Sequence, residues 1–281
     1  MERPLVYARR RASSVSGRLR LRTSMPLPFA GRTALVTGGG NGLGREIALA
    51  LLNHGARVII AGRRAGALVE TMALVENAST MCRTAVVDVS DPVSVAVLAV
   101  ELGEENISIL INNAGIGGPV KPLLDIEPQE WDDVFSTNVR GIFLMCRAFL
   151  PPMVLAGRGD VINLASVSGK RPLAMRTPYA ASKMAVIGLT ASLGAEVGPL
   201  GVTVNSLSPG PVRGPRMSRN FRLEAERLDI GVEESERAFV SRSTLGRLVE
   251  EEEVGQAVVA MLQMSGLHAA DIDLSAGMVA R

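Results

Sequence analysis

From Thr33 onward the chain alternates short apolar runs rich in β-branched residues with stretches in which apolar residues recur at helical spacing. The runs at 33–37, 57–61, 83–87, 107–112, 160–165, 202–207 and 272–274 predict strands. Between them the helical period predicts helices over 43–53, 65–76, 92–102, 128–155 with a break inside it, 179–197 and 251–264. This alternation predicts an α/β fold over 31–281: a single domain built on a doubly wound parallel sheet of seven strands, with helices on both faces and right-handed crossovers. The one long departure is 209–248, where glycines, prolines and charges replace the expected tight turn. A connection of that length in a compact domain is commonly functional, and it reads as a substrate lid.

Composition narrows the class without changing the picture. Of 281 residues, 47% are apolar and 21% charged, and 29 glycines and 15 prolines are spread along the chain, which excludes disordered and collagen-like chains. Cys82 and Cys146 stand far apart with no CxxC spacing, so neither a disulfide framework nor a thiolate zinc site is supported, and a reducing, cytoplasmic setting is expected. His54 and His268 have no HExxH or cysteine cluster around them and read as structural. The most apolar stretch, 141–157, is interrupted by Arg147, Pro151 and Pro152 and falls short of the ~20 residues that span a bilayer, so no membrane span is expected.

Charge is uneven. Residues 1–24 hold seven arginines against Glu2, a balance of +6, while the remainder carries −4 of the chain's net +2. Such an arm suits nucleic acid, anionic lipid or organelle targeting. The period-two alternation Arg18-Leu19-Arg20-Leu21-Arg22, however, does not gather charge on one helical face. The expectation for 1–30 is a disordered basic extension, or the product of an upstream start with Met25 opening the folded protein, with no nucleic-acid or membrane partner.

Immediately after the first strand comes Thr37-Gly38-Gly39-Gly40-Asn41-Gly42-Leu43-Gly44, followed by an apolar-periodic helix. A glycine-rich turn there delivers backbone N–H groups and a helix N-terminus to one point, an anion site for a pyrophosphate. Alone, the same turn also serves as a plain strand-to-helix connection; its place in the first strand–helix unit favours the anion site.

The TGxxxGxG spacing resembles the short-chain dehydrogenase/reductase family in its compact, single-domain Rossmann form. Asn112-Asn113-Ala114-Gly115 after the fourth strand is similar to the family's NNAG motif, and Asp88-Val89 after the third stands where the family contacts adenine. Asn138-Val139-Arg140-Gly141 resembles NVxG, Ser166 ends the fifth strand, Tyr179 and Lys183 form YxxxK, and Pro209-Gly210 follows the sixth strand. The resemblance covers about 31–281 in the family's order. It implies a dinucleotide held by Gly38, Asn41, Gly42, Leu43 and Gly44 at the turn, by Asp88, Val89, Asn113, Ala114 and Gly115 at the next two strand ends, and by Tyr179, Lys183, Pro209, Gly210 and Val212. It further implies that Tyr179 is the general acid/base, that Ser166 polarises the substrate oxygen, and that Asn138 supports Lys183 through a water.

The residue chemistry agrees. Tyr179 and Lys183 are four apart, so on a helix they share a face. A tyrosine of pKa about 10 needs its phenolate stabilised by roughly 3 units, or about 4 kcal/mol, to work near neutrality. An ammonium about 4 Å away at an effective dielectric near 20 supplies that. An ordinary amphipathic-helix tyrosine is the alternative, yet the only other tyrosine, Tyr7, lies in the basic extension.

The second strand ends Val58-Ile59-Ile60-Ala61-Gly62-Arg63-Arg64, with no carboxylate to bind a ribose 2′-hydroxyl. Arg63 and Arg64 suit a 2′-phosphate, so NADP(H) is favoured over NAD(H), although Asn41 stands where many NADP-preferring relatives carry a basic residue. Beyond Pro209-Gly210 the chain reads Pro211-Val212-Arg213-Gly214 and lacks the threonine of the family's PGxVxT, which removes one contact to the cofactor amide. Arg213, Arg216, Arg219 and Arg222 recur every third residue, and Lys170, Arg171 and Arg176 flank the catalytic stretch. Either these converge on an anionic substrate or they form solvated faces balanced by the lid's acidic residues. Leu173, Met175, Met217 and Phe221 are available to line a pocket or simply to pack, and Trp131 is expected to pack at a helix start.

The expected activity is hydride transfer between NADP(H) and the carbonyl or hydroxyl carbon of a small ketone or secondary alcohol, in a homo-oligomer, tetramer or dimer. A non-catalytic NADP(H)-sensing regulator of the same fold is the alternative. A nucleotide-sugar epimerase would show TGxxGxxG and a longer substrate region, and no GxSxG supports a serine hydrolase.

Overall fold

The computed structural model describes residues 27–75, 81–171 and 173–279. The expectations for the basic arm over 1–26 and for the helix end at Glu76 lie outside the described residues, whereas 27–30, expected in the disordered extension, form an ordered turn: Phe29 is buried in the core and its N–H donates to the His54 carbonyl at 3.0 Å. Seven strands, β1 (Thr33–Thr37), β2 (Arg57–Gly62), β3 (Cys82–Val86), β4 (Ile107–Asn112), β5 (Gly159–Leu164), β6 (Val202–Pro209) and β7 (Asp271–Leu274), form one sheet in the order β3-β2-β1-β4-β5-β6-β7. Every pairing is parallel. The helices are α1 (Gly42–Asn53), α2 (Ala65–Met72), α3 (Pro92–Glu101), α4 (Pro128–Phe135), α5 (Gly141–Leu155), α6 (Thr177–Val197), α7 (Pro215–Leu228), α8 (Val232–Val240) and α9 (Glu251–Gln263).

The central strands β1 and β4 carry consecutive apolar residues, at 34–36 and 109–111, because both faces are covered. Alternate residues of β1 go to opposite sides: Ala34 and Val36 pack with Ile47, Leu51, Val254 and Val258 of α1 and α9. Leu35 packs on the other side with Leu98, Met145, Phe149 and Val186 of α3, α5 and α6. The strand order reverses between β1 and β4, so the loops after these strands open a crevice at the carboxyl edge, where such sheets bind ligands.

Local chemistry explains the boundaries that differ from expectation. α6 opens at Thr177, two residues early, because Pro178 is tolerated in a first turn, where its missing N–H costs nothing. β6 runs on to Pro209 because Ser206 to Pro209 pair with β7. The break within 128–155 is a single π-helical turn, Ser136–Arg140, while Pro151 and Pro152 sit inside α5 without ending it. The whole 28-residue run, Pro128–Leu155, is long and apolar enough by length and composition to cross a membrane. In this fold it is a core helix, burying Ile142, Met145, Cys146, Phe149 and Met153 against the sheet.

The segment expected as an irregular lid instead carries α7 and α8. Met217, Phe221 and Ala225 recur at four-residue spacing and are buried, and Met217 and Phe221 pack with Leu248, Phe239 and Val240 in a small separate core. These two side chains therefore hold the segment together. Trp131 stacks on Phe135 within α4, 4.9 Å between ring centres.

Candidate active site

The turn between β1 and α1 is a backbone cradle. Gly38 and Gly42 have φ of +70° and +50°, and a Cβ on Gly44 would lie 2.2 Å from the Gly38 carbonyl oxygen. Asn41 makes no capping bond, so the first-turn N–H groups of α1 have no side-chain partner among the described residues. Arg45 braces the cradle, its Nη2 donating to the Gly40 carbonyl at 2.9 Å and its Nε to Thr71 Oγ1 at 3.0 Å. The loop after β4 is tied to the same place. Thr37 Oγ1 accepts from the N–H groups of Asn113 and Ala114, and the Asn113 amide donates to the Thr37 carbonyl at 2.9 Å. The Asn113 side chain, expected at the cofactor, is thus spent on positioning the turn.

A cradle closed to side chains and lined by helix N–H groups fits a dinucleotide pyrophosphate. One carboxylate faces it. Glu251, in the first turn of α9, comes 3.5 Å from where a Cβ on Gly42 would stand and 2.6 Å from the same point on Gly214. Burial and then the neighbouring Glu46 raise its pKa above the ordinary carboxylate value.

At the end of β2, Arg63 and Arg64 are exposed and free of ion pairs among the described residues, and no acidic residue replaces them. Asp88 accepts from the Ser90 hydroxyl at 2.6 Å and the Ser90 N–H at 2.9 Å. Burial opposes its ionisation, but these bonds and the Arg63 charge bring its pKa below the usual value. Val89 is buried, and a Cβ on Gly141 would strike it at 2.9 Å.

Tyr179, Lys183 and Ser166 meet above β5 and β6. Tyr179 and Lys183 occupy consecutive turns of α6 and are both buried. Lys183 Nζ lies 5.8 Å from the Tyr179 ring centre and donates to the Leu164 carbonyl at 2.6 Å. Ser166, buried two residues beyond β5, accepts from the Ser168 N–H and donates to the Pro209 carbonyl at 3.5 Å. Two further cations stand over the phenol: the Arg216 guanidinium at 5.0 Å and that of Arg176 at 5.4 Å from the ring centre. Burial pushes the Tyr179 pKa up, but Lys183, Arg216, the Ser166 hydroxyl and Arg176 outweigh it and bring it down to about 8. Lys183 is lowered in turn, chiefly by burial.

Asn138, fully buried in the π turn, contacts the loop after β4 rather than the ammonium. Its Oδ1 accepts from the Ile116 N–H at 2.8 Å, and its Nδ2 donates to the Ile116 carbonyl and to Ser182 Oγ, each at 3.0 Å. Gly115 leaves room for this approach, since a Cβ there would lie 3.0 Å from Asn138 Oδ1 and 3.6 Å from Lys183 Nζ. Gly210 passes against Ser275, Pro209 accepts from Ser166, and Val212 bridges to Val249, which anchors the stretch after β6.

The basic residues noted in the sequence do not all converge. Lys170 pairs with Asp271 and Asp273, Arg213 with Glu236 and Glu250, and Arg171 reaches the Met278 carbonyl. Of these seven, Arg176 and Arg216 stand over the phenol beside Lys183. His54 and His268 bond to backbone groups. Surface hollows of about 410 Å³ beside His54 and Gln256, and about 310 Å³ beside Arg57 and Arg83, are lined by none of the catalytic-stretch residues.

Residues 32–226 match the family described as short chain dehydrogenase. Levodione reductase of Leifsonia aquatica is 35% identical over 85% of this chain and 90% of its own length. The 3-oxoacyl-(acyl-carrier-protein) reductase of Vibrio harveyi is 35% identical over 82% of this chain and 88% of its own. Among solved structures, an actinorhodin polyketide ketoreductase with NADPH superposes with a TM-score of 0.83 at 29% identity, covering 88% of this chain and 97% of that one.

Proposed function

The chain belongs to the short-chain dehydrogenases, enzymes that oxidise hydroxyl or reduce carbonyl groups with a nicotinamide dinucleotide, and from that premise we propose that it uses NADP(H) on a small ketone or secondary alcohol with Tyr179 as general acid/base. The observation that carries the reading is a buried phenol ringed by cations, at the crevice formed by the glycine turn and the loop after β4. When bound, the cofactor supplies or accepts the hydride. Tyr179 gives its proton to the substrate oxygen in reduction and takes it back in oxidation. Ser166 fixes that oxygen by a hydrogen bond, and Lys183 keeps the phenolate within reach of neutral pH.

Arg63 and Arg64 favour a 2′-phosphate, because two exposed guanidinium groups without an ion pair among the described residues stand at the end of β2, with only the more distant charge of Asp88 acting on Arg63. We propose in addition a homo-oligomer, to which exposed Phe143 on α5 and Met184 on α6 are available as contacts; light scattering of the purified chain tests it. The deciding experiment for the chemistry is Tyr179→Phe. Turnover of NADPH with ketones should vanish while NADPH still binds, and retained turnover refutes the assignment. A kcat/KM preference for NADH over NADPH would overturn the cofactor choice.

A further inference from the structure

Arg176 sits at the start of α6, only 8% exposed, and its Nε has no hydrogen-bond partner among the described residues. A buried guanidinium that lacks a carboxylate is costly to maintain. The residue before it, Met175, is held at φ +65°, a left-handed backbone that non-glycine residues rarely adopt, with its carbonyl accepting from the Lys121 N–H. This backbone turn precedes the buried arginine directly. Arg216, from the first turn of α7, stands over the same phenol, its guanidinium 5.0 Å from the ring centre. Neither makes an ion pair among the described residues, while Lys170 and Arg213 nearby in sequence are fully paired.

The two guanidinium groups also meet at one point. A Cβ on Gly117 would lie 3.0 Å from Arg216 Nη2 and 3.5 Å from Arg176 Nη2. The two nitrogens are therefore no more than about 6.5 Å apart, a gap that one oxyanion group spans with charge-assisted bonds of about 2.8 Å each. With Lys183 beneath, the space over Tyr179 holds three cations and no carboxylate among the described residues.

We propose that Arg176 and Arg216 form a clamp for an oxyanion group carried by the substrate, a carboxylate or a phosphate monoester a few bonds from the carbonyl that Tyr179 protonates. The clamp rests on the Tyr179 reading for its geometry but is separable from it. It selects an oxo acid or a phosphorylated ketone over a neutral ketone of the same size, because a neutral ligand leaves two facing guanidinium groups uncompensated.

The test uses the full-length chain with Tyr7→Phe, so that ultraviolet tyrosinate absorbance reports Tyr179 alone. Levulinate and inorganic phosphate should each raise the Tyr179 titration midpoint, saturably, by about half a unit or more, since a bound anion cancels part of the cationic field. Methyl levulinate should leave it in place. The shift should disappear in Arg176→Gln and in Arg216→Gln, each checked for retained NADPH binding. Of the two anions, the one acting at lower concentration identifies carboxylate or phosphate as the preferred group. No anion-dependent shift, or the same shift in both variants, overturns the clamp.

A kinetic arm compares levulinate with methyl levulinate, and dihydroxyacetone phosphate with dihydroxyacetone. At least one anion should be preferred by tenfold or more in kcat/KM, and the preference should collapse in Arg216→Gln. Equal turnover of charged and neutral ketones refutes the clamp and leaves the Tyr179 chemistry standing, whereas failure of that chemistry appears only in Tyr179→Phe. A rise in the NADPH Kd of Arg216→Gln without a change in the charged-to-neutral ratio assigns Arg216 to the cofactor and also overturns the clamp.

Discussion

Replacing Lys183 by glutamine removes a buried ammonium 5.8 Å from the centre of the Tyr179 ring. At an effective dielectric of about 20, suited to a buried pair, the lost attraction is roughly 3 kcal/mol, or about two pKa units. The phenol, held at about 8 with Lys183 present, should then titrate near 10. Oxidation of an alcohol needs the phenolate, so its kcat/KM rises with pH up to the midpoint and levels above it. In Lys183→Gln that ascending limb should move up by about two units, with a loss of about 100-fold at pH 7. Reduction needs the protonated phenol, so in the wild type it should fall above about pH 8, and in the variant that fall should move to higher pH. The assay is the pH profile of both directions, with the tyrosinate absorbance of the Tyr7→Phe chain as an independent reading. Loss of activity with an unmoved limb would refute the electrostatic role and leave Lys183 only its bond to the Leu164 carbonyl.

Further outcomes follow from the geometry. Gly44→Ala should abolish NADPH binding and lower Tm, because the added methyl would sit 2.2 Å from the Gly38 carbonyl; calorimetry and fluorescence titration check both. Glu251→Gln should tighten NADPH binding several-fold by removing a carboxylate beside the phosphate cradle, and wild-type affinity should improve as pH falls through the raised Glu251 titration; a weaker Kd in the variant contradicts this. Arg63→Ala with Arg64→Ala should reduce the NADPH-to-NADH ratio of kcat/KM by about tenfold or more through lost phosphate contacts, with the individual Kd values as the control. Asn138→Ala removes the partner of the half-buried Ile116 N–H and carbonyl and of the buried Ser182 hydroxyl, for a destabilisation of about 1–3 kcal/mol measured by urea unfolding.

Much of the scaffold was legible because local and global preferences agree. The apolar, β-branched runs of β1 and β4 were bounded to the residue, since strands covered on both faces announce themselves without reference to partners. The glycine turn and the Tyr179–Lys183 pair were legible because their spacing is local to one turn or one helix, whereas Ser166 was placed by the family resemblance alone. α7 and α8 were missed: glycines, prolines and charges around them outweighed the four-residue spacing of Met217, Phe221 and Ala225. Arg45 bracing Gly40, Glu251 facing Gly42, and the buried Asn112–Asn163–Thr190 chain are contacts between distant segments, which no window of sequence contains. Arg176 and Arg216 were noted among seven basic residues, but only folding separates them from Lys170 and Arg213, which are neutralised by partners up to a hundred positions away.

The π turn at Ser136–Arg140 bears on how this chain tolerates change in length. By carrying one residue more than a regular helical turn, it sets the rotational phase of α5 independently of α4. Because the wider turn absorbs its extra residue, deleting one residue there would tighten it to a regular turn and roughly keep the sheet-facing side of α5, whereas a deletion elsewhere in α4 or α5 would swing all that follows by about 100° around the helix axis. A stretch that looks like an irregularity is thus the slack between two helices, the place within this run where a one-residue change in length is best borne.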